Sequence, residues 1–149
     1  MSALIITTNY GVEQDELVRP LEALRGAGVD VTVAAVSTDP IHTLVSDKDP
    51  GASVDPDATL DEVNAEDFDV LVIPGGTINA DNLRTDSAAV DLARAFADAG
   101  KTIAAICHGP WLLVEAGIAE GRTVTSYPSL QTDLRNAGAT WVDEELKRC

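Results

Sequence analysis

Positive charge is scarce in this 149-residue chain. Lysine occurs only at Lys48, Lys101 and Lys147, and Lys and Arg together number 10 against 25 Asp and Glu, for a net charge of -15. Such a surface repels phosphates, which argues against nucleic acid as a partner, and it argues against anionic membranes for the same reason. Cysteine is almost missing: Cys107 and Cys149 cannot make a disulfide framework. No apolar run reaches the roughly 18–20 residues of a membrane span. Met1-Ser2-Ala3-Leu4 has neither the basic segment nor the apolar stretch of a signal peptide. No Cys/His/Asp group has zinc spacing, and no glycine pattern reads as a phosphate or dinucleotide loop, so neither metal nor cofactor is expected. A soluble cytoplasmic protein is the expectation.

The chain is 45% hydrophobic, enough to bury the core of one domain. A charge of -15 destabilises a small fold by self-repulsion in dilute buffer. In about 1 M salt the Debye length is only about 3 Å and the repulsion is screened. The acid excess therefore points to a salt-rich cytoplasm, as in a halophile.

Short apolar runs alternate with helical patterns. Residues 3–8 (Ala-Leu-Ile-Ile-Thr-Thr) read as a buried strand. An acidic turn leads into a helix over 13–27, with Leu17, Val18, Leu21 and Leu24 at helical spacing and Gly26 and Gly28 at its end. Residues 30–36 form a second strand, which makes a β-α-β unit and implies a parallel sheet. Residues 37–58 read as loop, with a small hairpin between 42–45 and 53–54, and 59–65 as a short helix. Strands are expected at 69–73 and 102–106, and a helix at 87–99. A helix over 111–116, a strand at 123–125, a helix over 130–136 and a strand from 140 complete the chain. The expected fold is a single three-layer α/β/α sandwich on a mostly parallel, flavodoxin-like sheet, with its crevice at the carboxyl ends of the strands.

Three features fall on that rim. Cys107 lies between a strand and a helix start, with Ala105 and Gly109 small where a sharp turn needs it. This is the position of a nucleophile in an elbow. The positive end of the following helix favours thiolate, and such sites lower a thiol pKa from about 8.5 to between about 3.5 and 7.5. His108 can serve as base where its ring reaches the sulfur, which adjacency alone does not decide. Gly75-Gly76 lets the backbone approach a ligand closely and offers N–H groups to an oxyanion. Glu16 sits beside apolar Leu17 at the edge of the buried face. A half-buried carboxyl there has a raised pKa and can give a proton to a thiolate.

Together these residues resemble the PfpI/ThiJ family of the class I glutamine amidotransferase-like superfamily. The matching stretches are 11–20 (Gly-Val-Glu-Gln-Asp-Glu-Leu-Val-Arg-Pro), 68–76 (Phe-Asp-Val-Leu-Val-Ile-Pro-Gly-Gly), 104–110 (Ala-Ala-Ile-Cys-His-Gly-Pro) and 124–128 (Val-Thr-Ser-Tyr-Pro). The resemblance implies a homo-oligomer, Cys107 as nucleophile and Glu16 as its protonated partner. It puts Gly75, Gly76 and Gly109 near the oxyanion and substrate, and makes His108 the base. It offers Asp81 as the acid, which a neighbouring subunit can supply in this family. The implied function is a cysteine hydrolase acting on a small carbonyl compound or a peptide: intracellular peptidase, deglycase or glyoxalase. The alternative is a non-catalytic stress or redox sensor built on an oxidisable cysteine. Relatives continue past Trp141-Val142-Asp143-Glu144, so the family's last strands and helix are expected to be missing here, leaving one sheet face bare.

Overall fold

The computed structural model describes residues 1–149. Its centre is a parallel sheet of five strands: β1 (Ser2–Ile6), β3 (Asp30–Ala35), β6 (Ala58–Thr59), β7 (Val70–Ile73) and β8 (Thr102–Ala105), in the order β6-β3-β1-β7-β8. The period of two along each strand feeds two cores. Leu4 and Ile6 of β1, with Leu71 and Ile73 of β7, face one side. There they meet Val90, Leu92, Ala93 and Phe96 of α3 (Ser87–Asp98) and Leu112 of α4 (Pro110–Glu115). Ala3 and Ile5 of β1 and Val72 of β7 face the other side, against Leu17 and Leu21 of α1 (Gln14–Gly26). Helices thus cover both faces of a parallel sheet, the expected three-layer sandwich. A small third core joins α5 (Gln131–Asn136) to the strand pair β9 (Thr123–Val124) and β10 (Thr140–Trp141).

The expected hairpin is present as β4 (Ile41–Val45) and β5 (Asp49–Val54), paired antiparallel. A third strand joins it, β2 (Tyr10–Glu13), from the segment expected to be a turn. Two further differences have clear causes. Residues 59–65 are not a helix: Asp57 and Leu60 give their N–H groups to Val33 and Ala35 of β3, so sheet pairing takes the backbone that a helix would need. After the glycines stands an unexpected helix, α2 (Thr77–Leu83), whose first N–H is capped by Asp47 from the distant β4–β5 turn. β8 is an edge strand, and none of its residues is fully buried. No helix is long and apolar enough to cross a membrane.

Candidate active site

The carboxyl ends of β1, β7 and β8 meet α1, α2 and α4 around Cys107. After β8 the main chain bends sharply, and Cys107 takes φ +55°, a conformation that costs a residue with a side chain about 1–3 kcal/mol. Three backbone bonds impose it. Ile106 donates to the Ile73 carbonyl at 3.0 Å, Gly109 to that of Ile106 at 2.7 Å, and Tyr127 to that of Cys107 at 2.8 Å. A Cβ on Gly109 would run into the Ile73 carbonyl oxygen. Gly109 therefore serves the bend itself, and its N–H is taken by Ile106 rather than open to an oxyanion.

His108 reaches the sulfur. Its Nδ1 lies 3.2 Å from Cys107 Sγ. The ring is buried, stacked on Tyr127 at 4.7 Å and met edge-on by Trp111 at 5.3 Å. On its far side Nε2 lies 3.4 Å from Thr77 Oγ1 and 3.4 Å from Ser129 Oγ. Burial holds the imidazole below its ordinary pKa, with Asp47 pulling the other way. A neutral ring is the form that accepts a proton.

Glu16 projects from the first turn of α1, where its Oε2 accepts the Gly75 N–H at 2.7 Å and its carboxyl hydrogen-bonds the thiol. Burial raises its pKa, as expected, against the Gly75 bond that lowers it. The thiol departs from expectation. Burial first, then the charge and hydrogen bond of Glu16, push Cys107 up to about 12, against the N–H groups of His108 and Gly76 that face the sulfur. α4 has six residues, and its end cannot offset loss of water together with a facing carboxylate. Glu16 and Cys107 both resist ionisation, so the pair keeps a proton between them.

The glycine pair is required by space. A Cβ on Gly75 would lie 2.6 Å from Glu16 Oε2, 2.8 Å from the His108 nitrogen and 2.9 Å from Cys107 Cβ. Gly76 has φ +82°, and a Cβ there would strike the Gly11 carbonyl oxygen. Of the two N–H groups, that of Gly75 is bonded to Glu16, and that of Gly76 faces the sulfur. Asn79, fully buried, holds this turn in place. Its amide donates to the carbonyls of Gly75 and Pro74, and its Oδ1 accepts from Thr7 Oγ1 and from the N–H and hydroxyl of Thr8.

Asp81 lies exposed on α2 and makes no hydrogen bond to His108 within the chain. The acid linked to the ring in the same chain is Asp47, through Thr77: the Thr77 N–H donates to Oδ1 at 2.8 Å and its hydroxyl to Oδ2 at 2.9 Å. Asp47, Thr77 and Asn79 carried no signal as site residues in the sequence, since the β4–β5 turn and α2 meet only through the fold. A cavity of about 1050 Å³ opens beside Cys107, lined by Ile106, Pro110, Tyr127, β8 and residues 144–149. No group of three or more His, Cys, Asp or Glu is placed to hold a metal ion.

Known proteins resemble this chain over nearly its whole length. A deglycase of Pyrococcus horikoshii is 40% identical over 146 residues, 98% of this chain and 84% of that protein. Protein/nucleic acid deglycase 2 of Escherichia coli is 37% identical over 144 residues, 97% of this chain and 80% of the relative. The crystal structure of Drosophila melanogaster DJ-1beta superposes with a TM-score of 0.87 at 36% identity, covering 99% of this chain and 77% of that one. The DJ-1/PfpI family pattern matches residues 1–149, and with these relatives it establishes that the chain belongs to the DJ-1/PfpI family.

Proposed function

We propose that the protein is a cysteine-dependent enzyme of deglycase or glyoxalase type, in which Cys107 attacks a carbonyl carbon and His108 moves the proton. What carries the reading is the 3.2 Å contact between Sγ and Nδ1 at a strained bend. The deglycase names of the relatives support it. The peptidase form of the family shares the same first step.

In that step a sulfur lone pair forms the S–C bond while the carbonyl π pair moves to oxygen. The thiol proton passes to His108 Nδ1 and from there to the alkoxide, giving a hemithioacetal. On an amide carbonyl the same proton goes to the leaving amine as the C–N bond breaks, and water then hydrolyses the thioester. The Gly76 and His108 N–H groups lie where charge changes at the sulfur.

Redox sensing is the weaker reading, because oxidation selects an exposed thiolate, and here burial and Glu16 keep the sulfur protonated until a base acts. Turnover of methylglyoxal, of a glycated peptide and of a fluorogenic peptide, each against Cys107→Ser, tests the reading. Activity on at least one substrate that vanishes in the variant supports it. Equal rates in parent and variant refute it.

A further inference from the structure

Three residues with side chains adopt positive φ in this chain: Ser46 at +57°, Asp47 at +55° and Cys107 at +55°. All three belong to one cluster. Ser46 and Asp47 sit in the turn between β4 and β5, and the Glu13 carboxylate accepts both their N–H groups, at 2.9 and 3.0 Å. Backbone strain that the surroundings impose is a mark of functional placement. Its effect here is to set the Asp47 carboxylate against Thr77, whose hydroxyl is the next group to His108 Nε2.

The direction of the Thr77 hydrogen bond to Asp47 is forced. An ionised carboxylate only accepts, so the Thr77 hydroxyl proton points to Asp47 Oδ2. The Thr77 oxygen is then left to accept from Nε2–H of His108. A neutral imidazole carries one proton, and with that proton on Nε2 the lone pair stands on Nδ1, which faces Cys107 Sγ. Ser129 also lies beside Nε2, but no bond of its hydroxyl proton to a fixed acceptor sets its direction. We propose that Asp47, acting through the Thr77 hydroxyl, is the positioning acid of the Cys107–His108 pair and fixes His108 as the tautomer that accepts the thiol proton. The inference rests on the reading of Cys107 as nucleophile, but the tautomer can be measured apart from turnover.

The chain has two histidines, His42 and His108, so ¹⁵N shifts of histidine-labelled protein resolve the tautomer directly, with His42→Gln assigning the pair. The parent is expected to show His108 protonated at Nε2. Asp47→Asn keeps a capping side chain suited to positive φ. Its amide can donate to Thr77, which reverses the hydroxyl and draws His108 toward the Nδ1–H form. Thr77→Val breaks the chain, and Thr77→Ser restores it. The alkylation rate of Cys107 by iodoacetamide at neutral pH, followed on its own peptide, should fall about tenfold or more in Asp47→Asn and Thr77→Val, and recover in Thr77→Ser. An unchanged tautomer and rate in both variants overturns the proposal, as does a rate that falls with Asp81→Asn and not with Asp47→Asn. A tautomer that follows Asp47 in a protein without carbonyl turnover upholds the relay and rejects the functional reading alone.

Discussion

Glu16 is pulled in two directions. Burial favours its protonated form, while the Gly75 N–H and the Cys107 thiol favour the carboxylate. The carboxylate is in turn one reason why Cys107 resists ionisation. Glu16→Gln removes that charge and keeps an oxygen for Gly75, so the thiol pKa should fall. Alkylation of Cys107 at pH 8 is therefore expected to be faster in the variant, and a slower reaction would show that the parent carboxyl is already the proton donor. Gly75→Ala places a methyl group among Glu16, His108 and Cys107, at distances under 3.0 Å from all three. The backbone of the elbow and the start of α1 cannot both yield in a packed site, so thiol reactivity should be lost together with stability. Wild-type reactivity in that variant would mean that the turn is looser than described. At this scale Cys107, Glu16 and the glycines were legible in the sequence because each falls next to a recognisable change of element. The state of the thiol was not legible, since pKa depends on what the fold packs around the sulfur.

The elements differ in how much of them local sequence determines. β1, β3, β7, β8 and α3 follow from apolar periodicity, and their boundaries differ from expectation by a residue or two. α2 does not, because its cap is Asp47, remote in sequence, and its buried residues include Asn79. Asn79 is the polar bolt between the end of β1 and the Pro74-Gly75-Gly76 turn. Asn79→Ala takes the partner from the Thr8 N–H and from the Pro74 and Gly75 carbonyls, while the Thr7 and Thr8 hydroxyls keep the carbonyls of Thr8 and Tyr10. It should cost about 2–4 kcal/mol, measured by denaturant unfolding. A loss below about 0.5 kcal/mol, the range of neutral surface changes, would remove Asn79 from the account. The β2-β4-β5 sheet was only half legible. Its hairpin showed in two short runs, 42–45 and 53–54, on either side of a polar turn, whereas β2 is four residues that include Gly11 and Glu13, too short for periodicity to register.

For the whole molecule, charge is the dominant fact. Six ion pairs are present, and in each at least one side chain is more than 40% exposed, so they compensate little of the net -15. Self-repulsion then falls as salt screens it. The melting temperature is expected to rise steadily from dilute buffer to molar potassium chloride. A melting temperature that falls or stays flat over that range would end the inference of a salt-rich setting. Acid should act through His108. Its folded pKa is lowered, so the unfolded chain binds more protons, and stability is lost as pH falls through the ordinary histidine range toward the folded value. Replacing His108 with Gln should flatten that part of a plot of stability against pH, and an unchanged slope would place its cause elsewhere.

The central claim is that a sulfur which burial and Glu16 keep protonated becomes a nucleophile because His108 takes its proton. The most direct measurement is the rate at which iodoacetamide labels the Cys107 peptide across pH, in the parent and in His108→Ala. Labelling near neutrality is expected to be faster in the parent than in the variant, because His108 takes the proton as the S–C bond forms, and both rates rise further toward the alkaline range of a thiol pushed up to about 12. Equal rates in the two proteins at neutral pH would contradict it.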